Sequence, residues 1–396
     1  VVRRPGYGVA VLIVVQPFAY YRDIAETTIT LPKAALIAVS LGLLYRHASF
    51  HTLHASGPRR LLIAIGLVIA TTAFSIFHAM HAGAAFRETL KWLEYLLLFA
   101  IAYVAFREDP DVNLASRTIV ITVSVVALIA LSQEILGAPS GLWFNGHPIP
   151  RIAGPLEGPN QLAGYLDVAL PVLLALALFK FDLWLAGALA LAAFADVATL
   201  SRAGILCAAA GLLLVGLTLS RSQYMRKAVL AVLGGAAAGG FTAAFWGWTV
   251  HANGILRGFE VNYAGGVGTR SQLWHAAFTL WKKHPVFGLG AGNFELDIGQ
   301  TGVRNIRTHT NSLYIQALVE QGVVGLFTTV CLVYQSIATF WTSRSPRDPL
   351  VVGALGAGVA LGLHQTVDLL IFFPKVAGMW WIVMALACAQ LARRSA

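Results

Sequence analysis

Four side chains in this sequence have the type and the setting for chemistry: Arg151, Arg202, Arg270 and His309. Arg202 sits in Thr199-Leu200-Ser201-Arg202-Ala203-Gly204, a very short turn between two apolar runs. A guanidinium this close to hydrocarbon is costly unless it reaches the interface or has a partner. Arg151 precedes Gly154-Pro155-Leu156-Glu157-Gly158-Pro159-Asn160, and Arg270 opens a short amphipathic stretch. Alone, Arg202 reads equally well as a snorkelling interface residue, and Arg151 and Arg270 as surface charges. Three on one membrane face suit a diphosphate, because guanidinium groups pair bidentately with phosphate oxygens. His309 lies just before a new apolar helix. The partial positive charge of a helix N-terminus favours neutral imidazole, which can accept a proton, so His309 is a candidate general base.

Other signals carry less. Asp109-Pro110-Asp111 has the form of a metal-binding pair but reads as an ordinary turn away from the arginines. Gly288, Gly290 and Gly292 follow no strand, so they make no dinucleotide fingerprint; a tight turn lining the site is expected. His364 and Asp368 are one helical turn apart and are expected to pair with each other. Cys207, Cys331 and Cys388 lie far apart in apolar runs and read as buried small side chains, with no disulfide or metal framework.

What must position these groups is a membrane. The chain has 396 residues, 57% hydrophobic and 12% charged, with mean hydropathy +0.71. A soluble domain carries about 25% charged residues. The continuous apolar runs lack the alternation of a β-barrel. The expected fold is an all-α polytopic membrane protein with about twelve spans of the length a bilayer needs. They fall near 7–21, 29–45, 60–79, 88–106, 115–136, 160–179, 182–199, 203–219, 227–249, 311–342, 348–366 and 371–392. The first run is expected to be such a span, not a cleavable signal peptide. Residues 1–396 read as one integral membrane domain.

With the N-terminus inside, the cytoplasmic ends hold 15 of the 28 Lys and Arg residues. The short outer segments hold 7, and the long segment 250–310 holds the other 6. That bias puts both termini in the cytoplasm and the long loop, between the ninth and tenth spans, outside. Within the loop, Thr269 with Gln272 makes a capping box for a helix over 270–283. Leu273, Ala277, Leu280 and Trp281 give it one apolar face, and the helix is expected to lie at the membrane interface. Thr310 or Asn311 is expected to cap the next span. The net charge of +10 forms no stripe, so no nucleic-acid partner is expected.

Four segments then fall in a familiar order. They are Arg151 through Asn160-Gln161-Leu162-Ala163; Leu200-Ser201-Arg202-Ala203-Gly204; Arg270 through Trp274 to His284-Pro285-Val286-Phe287-Gly288-Leu289-Gly290; and His309-Thr310-Asn311 through Glu320-Gln321-Gly322-Val323-Val324-Gly325. His364 to Asp368 with Pro374 adds a weaker match. Over roughly the last 250 residues the chain resembles the bacterial O-antigen ligase and O-antigen polymerase superfamily, which includes the membrane O-oligosaccharyltransferases. One departure stands out. The family often has a second histidine nine residues ahead of the glutamate, where this chain has Asn311.

The resemblance implies a GT-C-like glycosyltransferase of the bacterial inner membrane, its site on the extracytoplasmic face. The donor would be a glycan on undecaprenyl diphosphate. The acceptor would be a hydroxyl of a glycan, of lipid A–core or of another molecule, with membrane lipids around the protein. His309, Arg270 and Arg202 would be catalytic. Arg151, Asn160, Asn311 and Glu320 would bind substrate. The lipid diphosphate is already a good leaving group, so cationic side chains can stand in for a metal, and no cofactor is expected. Ligase, polymerase and protein-glycosylating versions share this chemistry and stay open. A transporter would instead place ionisable groups near mid-bilayer with repeat symmetry between halves. Glu94, Asp167 and Asp196 are the residues to check on that score, the two aspartates also reading as interior polar contacts. A glycan-binding relative without activity is a further alternative.

Overall fold

The computed structural model describes residues 4–18, 21–24, 27–46, 53, 56–137, 142–144, 147–149, 151–180, 182–219, 267–302, 308–344 and 348–394. The expected ninth span, 227–249, and the first part of the loop lie outside them. The helices are α1 (Pro5–Val15), α2 (Leu31–Tyr45), α3 (Ser56–Ser75), α4 (Ala82–Glu108), α5 (Val112–Leu136), α6 (Pro159–Phe179), α7 (Leu183–Ala198), α8 (Arg202–Leu219), α9 (Val267–Trp281), α10 (Phe294–Asp297), α11 (Leu313–Trp341), α12 (Pro349–His364) and α13 (Pro374–Arg394). Two small antiparallel hairpins, Tyr21–Ile24 with Thr27–Thr30 and Leu142–Phe144 with His147–Ile149, interrupt the helical pattern.

Seven helices, α3, α4, α5, α6, α8, α11 and α13, are long and apolar enough to cross a membrane. Four shorter apolar helices, α1, α2, α7 and α12, stand where spans were also expected. Together they account for eleven of the twelve expected segments as helices, and for seven at full spanning length.

The core lies along α6 and α13, buried over 94% and 83% of their apolar windows. A helix that is apolar all round belongs inside. Small residues bring α8 and α12 against α6. A Cβ on Gly211 would stand 2.7 Å from the Gly356 carbonyl oxygen and 3.1 Å from Pro171, so these helices touch at the backbone. Nearby, His364 of α12 places Nδ1 2.6 Å from Oδ2 of Asp167 on α6, both fully buried. His364 therefore pairs with Asp167 and not with Asp368. Helical spacing joins His364 and Asp368 only through the backbone, Asp368 N donating to His364 O at 3.0 Å.

The loop region shows two further corrections. Helix α9 starts at Val267, which puts Thr269 inside its first turn. Its apolar face (Leu273, Ala276, Ala277, Leu280) packs on Phe294, Ile298 and Val319. The cap of α11 is Ser312, whose Oγ accepts from Ile315 N. Asn311 instead takes a left-handed conformation, φ 53°, a turn that asparagine tolerates better than most residues.

Helix α11 is broken at Gly322, φ 67° and ψ −162°. The segment after α9 fills the break. Val323 N and Val324 N donate to the carbonyls of Pro285 and Val286, while Leu289 N and Gly290 N donate to those of Val319 and Glu320. Gly288 and Gly322 face this contact, and a Cβ on either would overlap the opposing backbone. The glycine turn is thus clamped to α11.

Candidate active site

The site begins with the segment leading into α6. Arg151 donates through Nε to the Thr199 carbonyl (2.7 Å) and through Nη2 to Asn160 Oδ1 (2.9 Å). Asn160, in the first turn of α6, donates through Nδ2 to Asp368 Oδ2 (2.7 Å). That same oxygen faces Arg270 Nη2 of α9 at 3.7 Å. Arg151, Asn160, Asp368 and Arg270 therefore form one chain of contacts across α6, α9 and the turn after α12. Thr199 lies in the α7–α8 turn, which ends at Arg202, the first residue of α8. Arg270 Nε is buried and has no hydrogen-bond partner among the described residues. Buried donors are nearly always satisfied, so an orphan at a cationic site calls for a ligand.

A second group forms around His309. Its Nδ1 stands 2.5 Å from Oε1 of Glu295 on α10. With the carboxylate holding Nδ1–H, Nε2 is the nitrogen that can accept a proton. The ring rests on Phe372, centroids 4.1 Å apart. Trp274, one turn after Arg270 on α9, donates through Nε1 to the carbonyl of Thr310, the residue following His309. Thr310 N in turn donates to Gln316 Oε1, and Gln316 Nε2 donates to Glu320 Oε1. Glu320, buried on α11, also accepts from Phe294 N at the start of α10.

The turn joining α12 to α13 links the two groups. Asp368 lies among the arginines and Phe372 under His309. Leu313 N, at the start of α11, donates to the carbonyls of Gln365 (2.9 Å) and Asp368 (3.2 Å). Tyr95 of α4 donates to the Ile371 carbonyl. Lys91 of α4 sits over the Phe372 ring at 3.5 Å and pairs with Glu88 at 2.6 Å. Beside His309 opens a cavity of about 220 Å³, walled by Glu88, Glu295, Gln316, Glu320 and Phe372 among others. A smaller void of about 50 Å³ shares Glu88, Gln316, Glu320 and Phe372 and adds Lys91.

Of the residues anticipated from sequence, Arg151 and Asn160 meet directly, Arg270 joins them through Asp368, and Arg202 starts from the turn that Arg151 holds. His309 and Glu320 line the cavity. Asn311 shapes the backbone between them. Sequence reasoning missed Glu295, Glu88 and Lys91, and assigned Asp368 the wrong partner. The one available signal for Lys91 was its place among the seven cations of the short outer segments. The Asp-x-Asp pair is structural, as expected: Asp111 caps α5 by accepting from Leu114 N, and Asp109 accepts from Gly6 N.

The comparison with curated proteins gave no match. A family model described as O-antigen ligase matches residues 187–330, from α7 into α11. The matched stretch contains Arg202, Arg270, Glu295, His309 and Glu320, while Arg151, Asn160 and Asp368 lie outside it. Through that region the chain is similar to the O-antigen ligases.

Proposed function

We propose that this O-antigen ligase/polymerase-type membrane enzyme is an inverting, metal-independent, GT-C-like glycosyltransferase. It moves a glycan from undecaprenyl diphosphate to an acceptor hydroxyl on the extracytoplasmic face of the bacterial inner membrane. The observation that carries this reading is Arg270: fixed beside Asp368, joined through it to Asn160 and Arg151, and holding a buried donor without a partner among the described residues. Such a cluster suits the oxygens of a diphosphate. The acceptor oxygen attacks the anomeric carbon from the face opposite the phosphate. The bond from that carbon to the phosphate oxygen breaks, and the electron pair leaves with the lipid diphosphate. Arg270 and Arg202 stabilise the charge gathering there, and preorganised electrostatics of this kind is usually the largest catalytic contribution. His309 Nε2 takes the hydroxyl proton while Glu295 orients the ring and stabilises the imidazolium that forms. Asp368 and Asn160 hold the arginines in place.

The test is a transfer assay with purified protein and an undecaprenyl-diphosphate-linked repeat unit as sole substrate. A ladder of lengthening lipid-linked glycans identifies a polymerase. No ladder, then a single shift on adding lipid A–core, identifies a ligase. No product in either arm refutes the reading. Arg270→Ala and Arg202→Ala are each expected to lower transfer by about 10²- to 10³-fold with normal insertion. Near-normal product from either variant removes that arginine from the mechanism. EDTA should leave transfer intact, and a loss restored by Mg²⁺ would overturn the metal-free mechanism.

A further inference from the structure

We propose that the turn after α9, residues 282–287, docks an anionic phospholipid, with Lys282 and Lys283 on the headgroup and Val286 and Phe287 in the acyl chains. The inference goes beyond glycan transfer and stands without it. The turn reads Lys282-Lys283-His284-Pro285-Val286-Phe287, and all six residues are exposed. It is nevertheless a built surface. The amides of Lys282, Lys283 and His284 donate to the carbonyls of Phe278, Leu280 and Trp281. Trp281 Nε1 donates to the Pro285 carbonyl at 3.0 Å, and the contact with the break in α11 holds the far end. A surface fixed in this way meets a ligand without first losing chain entropy.

The apolar side of the turn continues onto helices long enough to span a membrane. The Phe287 ring packs on Phe74, centroids 5.1 Å apart, and Val323 N donates to the Pro285 carbonyl. Phe74 lies in the last turn of α3 and Val323 in α11, both of spanning length. Phe74, Val323 and Phe327 are themselves exposed, so the apolar surface runs on from the turn to both helices. The turn therefore sits at the level where α3 ends, the border of hydrocarbon and headgroups. Aromatic and lysine side chains suit that level, since an apolar body rests in acyl chains while an ammonium stays among headgroups.

Charge selects the lipid. No Asp or Glu occurs from Lys282 to Phe294. Neither lysine has an ion-pair partner among the described residues. Two uncompensated ammonium groups above an apolar floor fit a headgroup of net negative charge. A zwitterionic headgroup would bring its own cation against them. Arg270 stands at the other end of α9, twelve residues or about 18 Å along the axis from Lys282. The patch is thus set apart from the cluster proposed for the donor diphosphate, and its occupant is the phospholipid of the bilayer.

Photocross-linking tests the surface. The full chain is placed in phosphatidylcholine nanodiscs carrying a small, equal fraction of either phosphatidylglycerol or phosphatidylcholine with a headgroup diazirine, and labelled peptides are mapped. In wild type the phosphatidylglycerol probe should label residues 282–287 about 25-fold more than the phosphatidylcholine probe, about fivefold for each lysine. Lys282→Gln with Lys283→Gln should level the two probes at an unchanged unfolding temperature. Lys282→Arg with Lys283→Arg should keep the preference. Equal labelling by both probes in wild type, or an undiminished preference in the glutamine pair, overturns the docking surface. Displacement of the label by undecaprenyl diphosphate also overturns it, since the patch would then belong to the donor. No transfer is read in this experiment, so its outcome is separate from that of the transfer assay.

Discussion

Two histidine–carboxylate pairs of nearly equal length occur in this protein, in opposite surroundings. His309 and Glu295 are 2.5 Å apart, with side chains 18% and 33% exposed beside a cavity. His364 and Asp167 are 2.6 Å apart and sealed inside, at 1% and 0%. His364 Nε2 and Asp167 Oδ1 have no hydrogen-bond partner among the described residues. Gly204 seals one side, since a Cβ there would stand 3.3 Å from the His364 ring. The chemistry of the two pairs is the same, and access separates their roles. The first can exchange a proton with a substrate. The second ties α12 to α6 and so holds the end of α12 from which the Asp368 turn departs.

Three changes probe that contrast, the largest expected effect first. His309→Ala should cut transfer by about 10²- to 10⁴-fold, the usual reach of general-base catalysis, with an unchanged amount of protein in the membrane. Transfer within a few-fold of wild type would end the assignment of His309 as base. His364→Ala strands a buried carboxylate, so it should cost about 3–5 kcal/mol of stability, read as a lower unfolding temperature of the purified protein. The molecules that remain folded should transfer at near-normal rates. If unfolding is unmoved and turnover collapses, the buried pair is catalytic and the contrast fails. Glu295→Gln keeps the shape and drops the charge. Replacing a charged hydrogen bond by a neutral one costs about tenfold, expected in kcat with donor KM unchanged. An effect on donor KM instead would place Glu295 on the diphosphate side.

Much of the helical framework was legible from apolar run length alone. Expected spans at 115–136, 160–179 and 203–219 became α5, α6 and α8 with ends moved by three residues or fewer. Run length records what a helix must bury, and burial dominates here. The arginines were legible too, because a cation at the edge of an apolar run is costly enough to need a reason. Partners were not. Glu295 reaches His309 only because α10 packs on α9 and α11, and nothing local in the sequence encodes that contact. Asp368 was assigned to His364 on helical spacing, yet α12 ends at His364, and the turn beyond swings the carboxylate toward Asn160 and Arg270. At the start of α11, Thr310 and Asn311 were the expected caps, and Ser312 caps the helix instead. The left-handed turn at Asn311 moves the helix start one residue on.

The break in α11 bears on how the protein is built. Gly322 lies nine residues past Leu313, about 14 Å along the helix axis. Amides and carbonyls left bare at such depth cost several kcal/mol each in lipid. The Pro285–Gly290 segment supplies their partners and is synthesised before α11. The partners for the broken turn thus precede, in the chain, the helix that needs them. Cutting the loop away would leave α11 reluctant to enter the bilayer, and the defect would show as failed insertion before any assay of activity.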